Sequence, residues 1–372
     1  GMLKIKDIVS FLEKIAPPQY QATYDNAGLL VGDPEAAVTG ILTCLDSTEA
    51  IVAEAQARGC NLIVAHHPIV FSGLKRFTGR NYVEKTVMAA IKNDVAIYAI
   101  HTNLDSVLSG GVNAKFAEKI GLKNCKILAP VRQNLMKLSV FTPKSHTQIV
   151  LNALYEAGAG QIGDYKNCSF RTEGIGTFES FGNAKPFIGE IGIPEEIAEN
   201  KIEIIFESHL KNKIFSSLRK THPYETIAYY LHTLENENQT VGAGMIGELE
   251  TPMPELDFLR HVKKNMQASC VKHTDLRGQA VRRVAICGGA GGFLLPQAIA
   301  AGADVFVTSD YKYHEFFDAE GKIVIADIGH YESEQFTTEL LQTQLTNWLI
   351  EKKLGNFEVF STNISTNPVN YL

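Results

Sequence analysis

A chain of 372 residues with 45% hydrophobic and 20% charged residues is long enough for two or three domains, each with its own core. The formal net charge of −6 argues against a broadly basic surface and therefore against a nucleic-acid partner, although local basic patches stay open. The six cysteines form no CxxC pair, which predicts reduced thiols rather than a disulfide framework. Because no signal peptide and no bilayer-length apolar run are recognisable, we expect a cytoplasmic protein without a membrane partner.

The first predicted elements alternate between helices and short strands. Apolar residues recur at helical intervals in residues 3–16, and the helix is expected to end at Pro17-Pro18. Strands that are apolar on both faces and alternate with helices are typical of a parallel α/β sheet. The further strands are predicted at 40–46, 61–68 and 95–105, and the further helices at 47–60 and near 81–93.

The same alternation returns near the C-terminus. The segments 40–68 and 283–310 share one β-α-β pattern, which predicts that the α/β core consists of two related halves. A strand at 322–330 and a long amphipathic helix at about 333–354 follow.

The middle of the chain has a different order of elements. Strands and helices follow one another there as β-α-β-β-α-β, which is the ferredoxin-like motif. The segments are 137–143, 145–157, 168–180, 201–208, 209–220 and 225–234. We therefore predict an α/β domain with a mostly parallel sheet, discontinuous over 1–130 and 240–372, and an α+β domain inserted at 134–236.

Three predicted strands run into residues of the types that bind metals. The carboxyl ends of parallel strands meet at one edge of a sheet, where ligands bind. A single histidine at a strand end is often only hydrogen-bonded, so the three strand ends carry the prediction together. The residues concerned are His66, His67, His101, Asp105, His330 and Glu334.

These side chains predict a divalent-metal site. Imidazoles and carboxylates without a thiolate suit Zn first, and also Mn, Fe, Co or Ni. Successive side chains in extended backbone point opposite ways, so His66 and His67 would each hold one of two ions, with Glu334 or Asp105 between them. Two-metal sites hold a hydroxide or a substrate oxygen between ions about 3.5–4 Å apart. We interpret His101 as a supporting or structural residue.

Several short motifs are dispersed over both ends of the chain: YDNAGLLVG (24–32), AHHP (65–68), HTNLD (101–105), GGAGG (288–292), TSDYKYHE (308–315) and DIGHYESE (327–334). Together they resemble the NIF-three-like family, whose members are also called GTP cyclohydrolase 1 type-two homologues. The segment 308–310 reads Thr-Ser-Asp where many members have Thr-Gly-Asp. Through GIGTFES (174–180) and HPYET (222–226), the central region is similar to the PII/CutA-like domain inserted in longer bacterial members.

The resemblance implies a site for two metal ions and a ring-shaped homo-oligomer, commonly a hexamer, whose sites face an inner cavity. The implied ligands are His66, His67, Asp105, His330 and Glu334.

Other residues lie beside this predicted site. Asp310 ends a strand, and we expect Lys312 to line the pocket with it. His314 would serve as a general acid or base, or would only make a hydrogen bond on a helix face. The glycines of 288–292 either hold an anion with their amides or, as we favour, form a tight strand–helix turn.

Two functions fit these features. The first is a metal-dependent hydrolase in which a hydroxide between two ions attacks a small substrate, a nucleotide such as GTP or a phosphoester. The second is a non-catalytic metal-binding regulatory or scaffold protein, in which the PII-like insert acts as a sensor.

Overall fold

A computed structural model describes residues 2–372, and the chain divides into two compact units. The first comprises Gly1–Ala129 and Thr240–Leu372, and the second comprises Pro130–Gln239. Among the described residues, no helix combines the length and the apolar character needed to cross a membrane. All six cysteines are free thiols, as the sequence predicts.

The first unit takes its strands and helices from both ends of the chain. Up to residue 132 these are α1 (Ile5–Ile15), β1 (Gly28–Val31), β2 (Ile41–Cys44), α2 (Glu49–Ala57), β3 (Leu62–Ala65), α3 (Tyr82–Lys92), β4 (Ala96–Ala99), α4 (Thr102–Asp105), α5 (Val112–Ile120) and β5 (Leu122–Arg132). The second unit contains β6 (Leu135–Pro143), α6 (Thr147–Glu156), β7 (Phe170–Glu179), β8 (Pro194–Glu207), α7 (Lys211–Thr221) and β9 (Tyr229–Thr233). The chain then forms β10 (Glu237–Met253), α8 (Glu255–Asn265), β11 (Lys272–His273), β12 (Val281–Ala290), α9 (Leu295–Ala300), β13 (Val305–Ser309), β14 (Val324–Asp327), α10 (His330–Glu334), α11 (Thr337–Glu351) and β15 (Val359–Ser361).

The first unit holds two sheets, each mixing parallel and antiparallel pairs. In the five-stranded sheet, ordered β1-β4-β3-β2-β15, only the edge strand β1 is antiparallel to its neighbour. The six-stranded sheet is ordered β11-β14-β13-β12-β10-β5. Its centre, β12 to β14, is parallel, whereas β10 and β11 pair antiparallel.

The prediction of one mostly parallel sheet is therefore corrected to two mixed sheets. The apolar runs identify the buried central strands, because these need hydrophobic residues on both faces. Nothing in a single run, however, records which neighbour it pairs with or in which direction. The strands β1, β10 and β11, which pair antiparallel with their neighbours, were not predicted as strands.

Helices cover both faces of the five-stranded sheet. Leu12 of α1 and Leu341 of α11 pack in one core on that sheet, and Ile51 of α2 and Val87 of α3 pack in another. The Thr48 side chain caps α2 by accepting a hydrogen bond from the Ile51 amide at 3.2 Å. With both faces buried, the carboxyl-end edge of the strands is the part of the sheet left to bind ligands.

The second unit is an antiparallel sheet ordered β7-β8-β6-β9 with α6 and α7. This is the β-α-β-β-α-β order expected for 137–234. Its core includes Leu138, Val150, Ile204 and Leu218. β8 begins at Pro194, earlier than the predicted 201, because the polar stretch at its start pairs with the end of β7.

Two predicted elements near the strand ends also differ from the structure. The strand predicted at 95–105 ends at Ala99, and its last residues form the short helix α4. The helix predicted at 333–354 is instead two helices, α10 and α11. Asp105 therefore ends a short helix rather than the predicted strand, and Glu334 ends a helix of its own.

Candidate metal centre

Two sheets of the first unit bring the predicted ligands together. His66 and His67 directly follow β3, and Asp105 ends the helix that follows β4. From the other sheet, β14 leads into α10, which begins at His330 and ends at Glu334. The structure thus gathers the predicted metal ligands at the carboxyl ends of strands, as the strand-end rule anticipates.

Glu334 lies at the centre of the cluster. Its Oε2 atom is 2.6 Å from Nε2 of His66 and 3.1 Å from Nε2 of His67. Its Oε1 atom is 2.8 Å from Nε2 of His330. Oδ1 of Asp105 lies 3.5 Å from Nε2 of His66. One buried carboxylate therefore faces imidazoles from both sheets.

The two adjacent histidines do not diverge as extended backbone would make them. β3 ends at Ala65, so His66 and His67 lie beyond the strand, and their ring centroids are only 4.9 Å apart. Both Nε2 atoms approach the same oxygen of Glu334. The prediction that the side chains of His66 and His67 point opposite ways was wrong. Each histidine nevertheless has a neighbour that the other lacks, Asp105 for His66 and Asp46 for His67.

Every histidine of the cluster uses Nδ1 to hold an acceptor, which leaves Nε2 free for the centre. A backbone carbonyl cannot donate and an ionised carboxylate only accepts, so Nδ1 carries a proton and Nε2 of a neutral imidazole carries a lone pair. This arrangement is typical of histidines that bind metals. The pairs are His66 with the Ile100 carbonyl at 2.8 Å, His67 with Asp46 at 2.7 Å, His101 with Asp25 at 2.9 Å and His330 with Asp310 at 2.5 Å.

The centre contains polar atoms that the protein itself does not satisfy. Nε2 of His66 and Oδ1 of Asp105 are buried, and neither has a hydrogen-bond partner among the described residues. Although Nε2 of His66 is close to Glu334, the contact lacks hydrogen-bond geometry. Unsatisfied buried polar atoms are costly, and lone pairs that face one another repel. A divalent cation between them would satisfy both, so these residues fit a metal ion.

The donor atoms separate into three groups, two of which share Glu334. His66, Asp105 and Glu334 place ligand atoms within 4.8 Å of one another, and so do His67, His330 and Glu334. His66, His67 and His101 form a further such group. His101, expected only as a supporting residue, therefore also reaches the centre.

The electrostatics of the cluster favour positive charge at its centre. Burial alone would lower the pKa of His67, but Asp46 and Glu334 outweigh burial and raise the pKa to about 10. In the same way, the pKa of His330 rises to about 11 against its burial, through Asp310 and Glu334. Burial raises the pKa of Asp105 to about 6. Burial would also raise the pKa of Glu334, but His66 and the other imidazoles hold it well below its usual value. Protons or metal ions must supply this positive charge.

The backbone around Glu334 and His330 is specialised. Gly289 has φ of +74°, and a Cβ atom there would lie 2.5 Å from Oε1 of Glu334. The amides of Gly288 and Gly289 already donate to Asn113 and Ser333, both at 2.9 Å. These contacts support the tight-turn interpretation of 288–292. Asp310 has φ of +60°, a left-handed conformation that is strained for a non-glycine residue and is often found at functional sites.

The remaining predicted site residues lie in different surroundings. Asp310 holds His330 rather than only lining a pocket. Lys312 is exposed, and its backbone amide donates to Glu315. His314 is exposed on the 3-10 helix Tyr313–Ala319, and its ring contacts Tyr313 and Phe317. Within residues 2–372, no hydrogen bond or ion pair joins the side chain of Lys312 or His314 to the cluster, so their roles stay predictions.

Residue-by-residue reasoning missed two of the carboxylates that hold the histidines. Asp46 ends the predicted strand 40–46, so the same strand-end rule could have found it. Asp25 belongs to the motif YDNAGLLVG and also accepts from the Thr102 amide at 3.0 Å. Both carboxylates lie in segments that the sequence singles out. Their role as hydrogen-bond acceptors for a histidine, however, cannot be predicted before the partner histidine is known.

Comparison with known proteins decides the family. A sequence model of Duf34/NIF3 (NGG1p interacting factor 3) matches residues 3–368. The chain belongs to the DUF34/NIF3 family. The predicted resemblance is thereby confirmed, and it extends over nearly the whole length.

Relatives in this family match the chain from end to end. A protein of Halalkalibacterium halodurans named GTP cyclohydrolase 1 type 2 homolog is 38% identical over 368 residues, which is 98% of each chain. A Bacillus subtilis protein of the same name is 35% identical over 99% of this chain and 98% of its own. Among solved structures, a Bacillus cereus protein related to NIF3 is 36% identical, covers 100% of both chains and has a TM-score of 0.88.

Proposed function

We propose that this DUF34/NIF3 protein is a hydrolase that depends on two divalent metal ions and acts on a nucleotide or a phosphoester. The observation that carries the proposal is the position of Glu334, whose two oxygens face Nε2 atoms of histidines from two sheets. A single cation needs only one group of converging donor atoms. Two groups that share one carboxylate are the arrangement expected for a pair of ions.

The proposed ligands divide between the two ions. His66, Asp105 and Glu334 would hold one ion, and His67, His330 and Glu334 the other, because these are the two groups of converging donor atoms that contain Glu334. Zinc is the first expectation for imidazole and carboxylate donors, and Fe, Mn, Co or Ni would suit them too.

The protein's own groups would prepare this centre for chemistry. Two bound divalent ions would lower the pKa of a water molecule and polarise the substrate's electrophilic atom. Asp46 and Asp310 hold the Nδ1 protons of His67 and His330, so both Nε2 lone pairs stay directed at the centre. His330 keeps 41% of its side chain exposed, which leaves room for a substrate. His314 is the proposed general acid or base.

The name of the relatives makes GTP the first substrate to test. The Halalkalibacterium and Bacillus subtilis proteins are called GTP cyclohydrolase 1 type 2 homologs. Opening of the guanine ring and cleavage of a phosphoester both need an activated water and a polarised electrophile, so the centre suits either reaction.

The test combines metal content with turnover. The wild type, Glu334→Gln and His67→Ala are loaded with Zn²⁺ or Mn²⁺, the bound metal is measured by mass spectrometry, and GTP and a phosphoester panel are offered with product identification by mass. His273→Ala serves as the matched control, because His273 is exposed on β11. We expect metal and turnover to fall together in the site variants only. Unchanged turnover in metal-depleted variants would overturn the hydrolase proposal, and unchanged metal content would overturn the ligand assignment.

The His314 proposal needs its own variant. General acid–base catalysis contributes about 10²–10⁴-fold, so His314→Ala should lower kcat by about that factor with metal content unchanged. A kcat close to that of the wild type would reduce His314 to a surface residue.

The second candidate is a metal-binding regulatory or scaffold protein. The β-α-β-β-α-β unit favours it, because we infer that this unit is PII/CutA-like and serves as a sensor and as a contact between subunits in a hexameric ring. Large apolar side chains on and beyond β7, such as Phe170, Ile175 and Phe181, are exposed in the single chain. Light scattering tests the ring. A metal-loaded hexamer that turns over no substrate would favour the second candidate over the first.

A further inference from the structure

The C-terminal segment 362–367, here called the strap, runs from the end of β15 towards the metal centre. Its first residues are fixed to the five-stranded sheet, since the Thr362 amide donates to the Thr43 carbonyl at 2.9 Å. The hydroxyl of Thr362 and the amide of Asn363 both donate to Glu54. The strap therefore lies over the carboxyl ends of the strands, as a continuation of β15.

Further along, the strap reaches a carboxylate that supports a proposed ligand. The hydroxyl of Thr366 donates to Oδ2 of Asp46 at 2.7 Å. Oδ1 of the same carboxylate accepts from Nδ1 of His67, also at 2.7 Å. A continuous hydrogen-bond chain thus leads from Thr366 through Asp46 to His67.

The next residue of the strap contacts α10, the helix that follows β14 of the six-stranded sheet. Nδ2 of Asn367 donates to Oε1 of Glu332 at 3.0 Å. Glu332 is buried within α10, between His330 and Glu334. Two consecutive residues of the strap therefore contact Asp46, which holds His67, and Glu332, which lies in α10 between His330 and Glu334.

We propose that Thr366 is a positioning residue for the metal centre, acting through Asp46 on His67. With a hydrogen bond to each oxygen, the Asp46 carboxylate is fixed in its plane, and the plane fixes the ring of His67 and the direction of its Nε2 lone pair. Thr366 is β-branched, so few side-chain rotamers compete with the bonded one. This inference rests on the proposed metal-binding function, since it assigns Thr366 a role towards an ion held by His67.

The effect of the hydroxyl should be moderate. Asp46 keeps 34% of its side chain exposed, so water can replace the lost hydrogen bond but not the fixed direction. Groups that touch a metal ligand directly are worth about 10–100-fold in affinity, and Thr366 is one bond further away. We therefore expect a threefold to tenfold weakening, on the order of the lower limit for a direct partner.

Three variants of the full chain separate the hydrogen-bond chain from general support by the strap. Thr366→Val removes the hydroxyl at nearly constant shape, and Thr366→Ser keeps it. Thr362→Val is the matched control, because it removes a hydroxyl contact of the same strap to Glu54 instead of Asp46. Zn²⁺ affinity is measured by competition with a chelator, and the visible absorption spectrum of the Co²⁺-loaded protein reports the ligand geometry. Circular dichroism confirms the fold of each variant.

We expect Thr366→Val to weaken one of the Zn²⁺ sites and to shift the Co²⁺ spectrum, while Thr366→Ser and Thr362→Val match the wild type. Affinity and spectrum unchanged in Thr366→Val would overturn the inference, and so would an equal loss in Thr362→Val or no recovery in Thr366→Ser. A wild type that binds no more Zn²⁺ than Glu334→Gln would instead overturn the proposed function. The two failures are therefore distinguishable.

Discussion

The two sheets of the first unit contribute to the metal centre in different ways. His66, from the five-stranded sheet, is fully buried and donates to a backbone carbonyl. His330, from the six-stranded sheet, is 41% exposed and is held by the side chain of Asp310. The buried backbone carbonyl of Ile100, directly after β4, neither titrates nor rotates, whereas a half-exposed carboxylate does both. His66 is therefore a fixed part of the centre, and His330 is an adjustable part beside solvent.

The largest expected effect comes from the residue that both parts share. Glu334→Gln removes the charge that faces both sets of imidazoles at nearly constant shape, so we expect both ions to be lost. The affinity loss should exceed the about 100-fold limit seen for residues that only support a ligand. Metal analysis after dialysis measures it. Retention of one ion would show that the centre is two independent sites.

The metal-free protein should lose stability as the pH rises from 7 to 10. The pKa of His67 is raised to about 10 in the folded chain, above its usual value near 6.5. A raised pKa gives stability that is complete below the unfolded value and is lost as the pH rises through the folded value. At roughly 1.4 kcal/mol per pKa unit, the loss should reach a few kcal/mol.

Urea unfolding in EDTA measures this dependence, and the metal-loaded protein should show a flatter one, because a cation then replaces the proton on Nε2. His67→Gln should flatten the dependence of the metal-free protein. A metal-free protein whose stability rises over this pH range would contradict the assignment.

Stability should separate the fixed histidine from the adjustable one. His66→Ala leaves a buried space and an unpaired Ile100 carbonyl, so we expect the free energy of unfolding to fall by about 2 kcal/mol even without metal. His330→Ala opens only a half-exposed position and should cost much less. Thermal unfolding of both variants in EDTA makes the comparison. Equal losses would mean that the two sheets do not differ in rigidity.

The smallest expected effect concerns the partner of His330. Asp310→Asn keeps the size of the side chain but weakens its hold on Nδ1, so Zn²⁺ affinity should fall by about tenfold. Asp46→Asn is the matched change on the five-stranded side. If the second sheet is the adjustable one, the Zn²⁺ affinity of Asp310→Asn should also change over a wider range of pH than the Zn²⁺ affinity of Asp46→Asn.

The sequence predicts the clustered residues of the candidate centre better than it predicts the sheets that carry them. A histidine or carboxylate directly after an apolar strand is a local signal, and His66, His67 and His330 were found in this way. The pairing of β10 with β12 joins residues whose partnership no local pattern records. Asp310 was placed in a pocket but not against His330, since this contact depends on a left-handed backbone at a single residue. Thr366 lies in a stretch without periodicity, so nothing pointed to it.

The separation of the clustered residues along the chain has a consequence for biosynthesis. His67 and Glu334 are 267 positions apart, and Thr366 follows later still. During synthesis the ribosome therefore adds His67 long before Glu334, the carboxylate that faces it. An ion that needs both residues could bind only after both have left the ribosome, and a chain interrupted between them would carry the first sheet's imidazoles without Glu334.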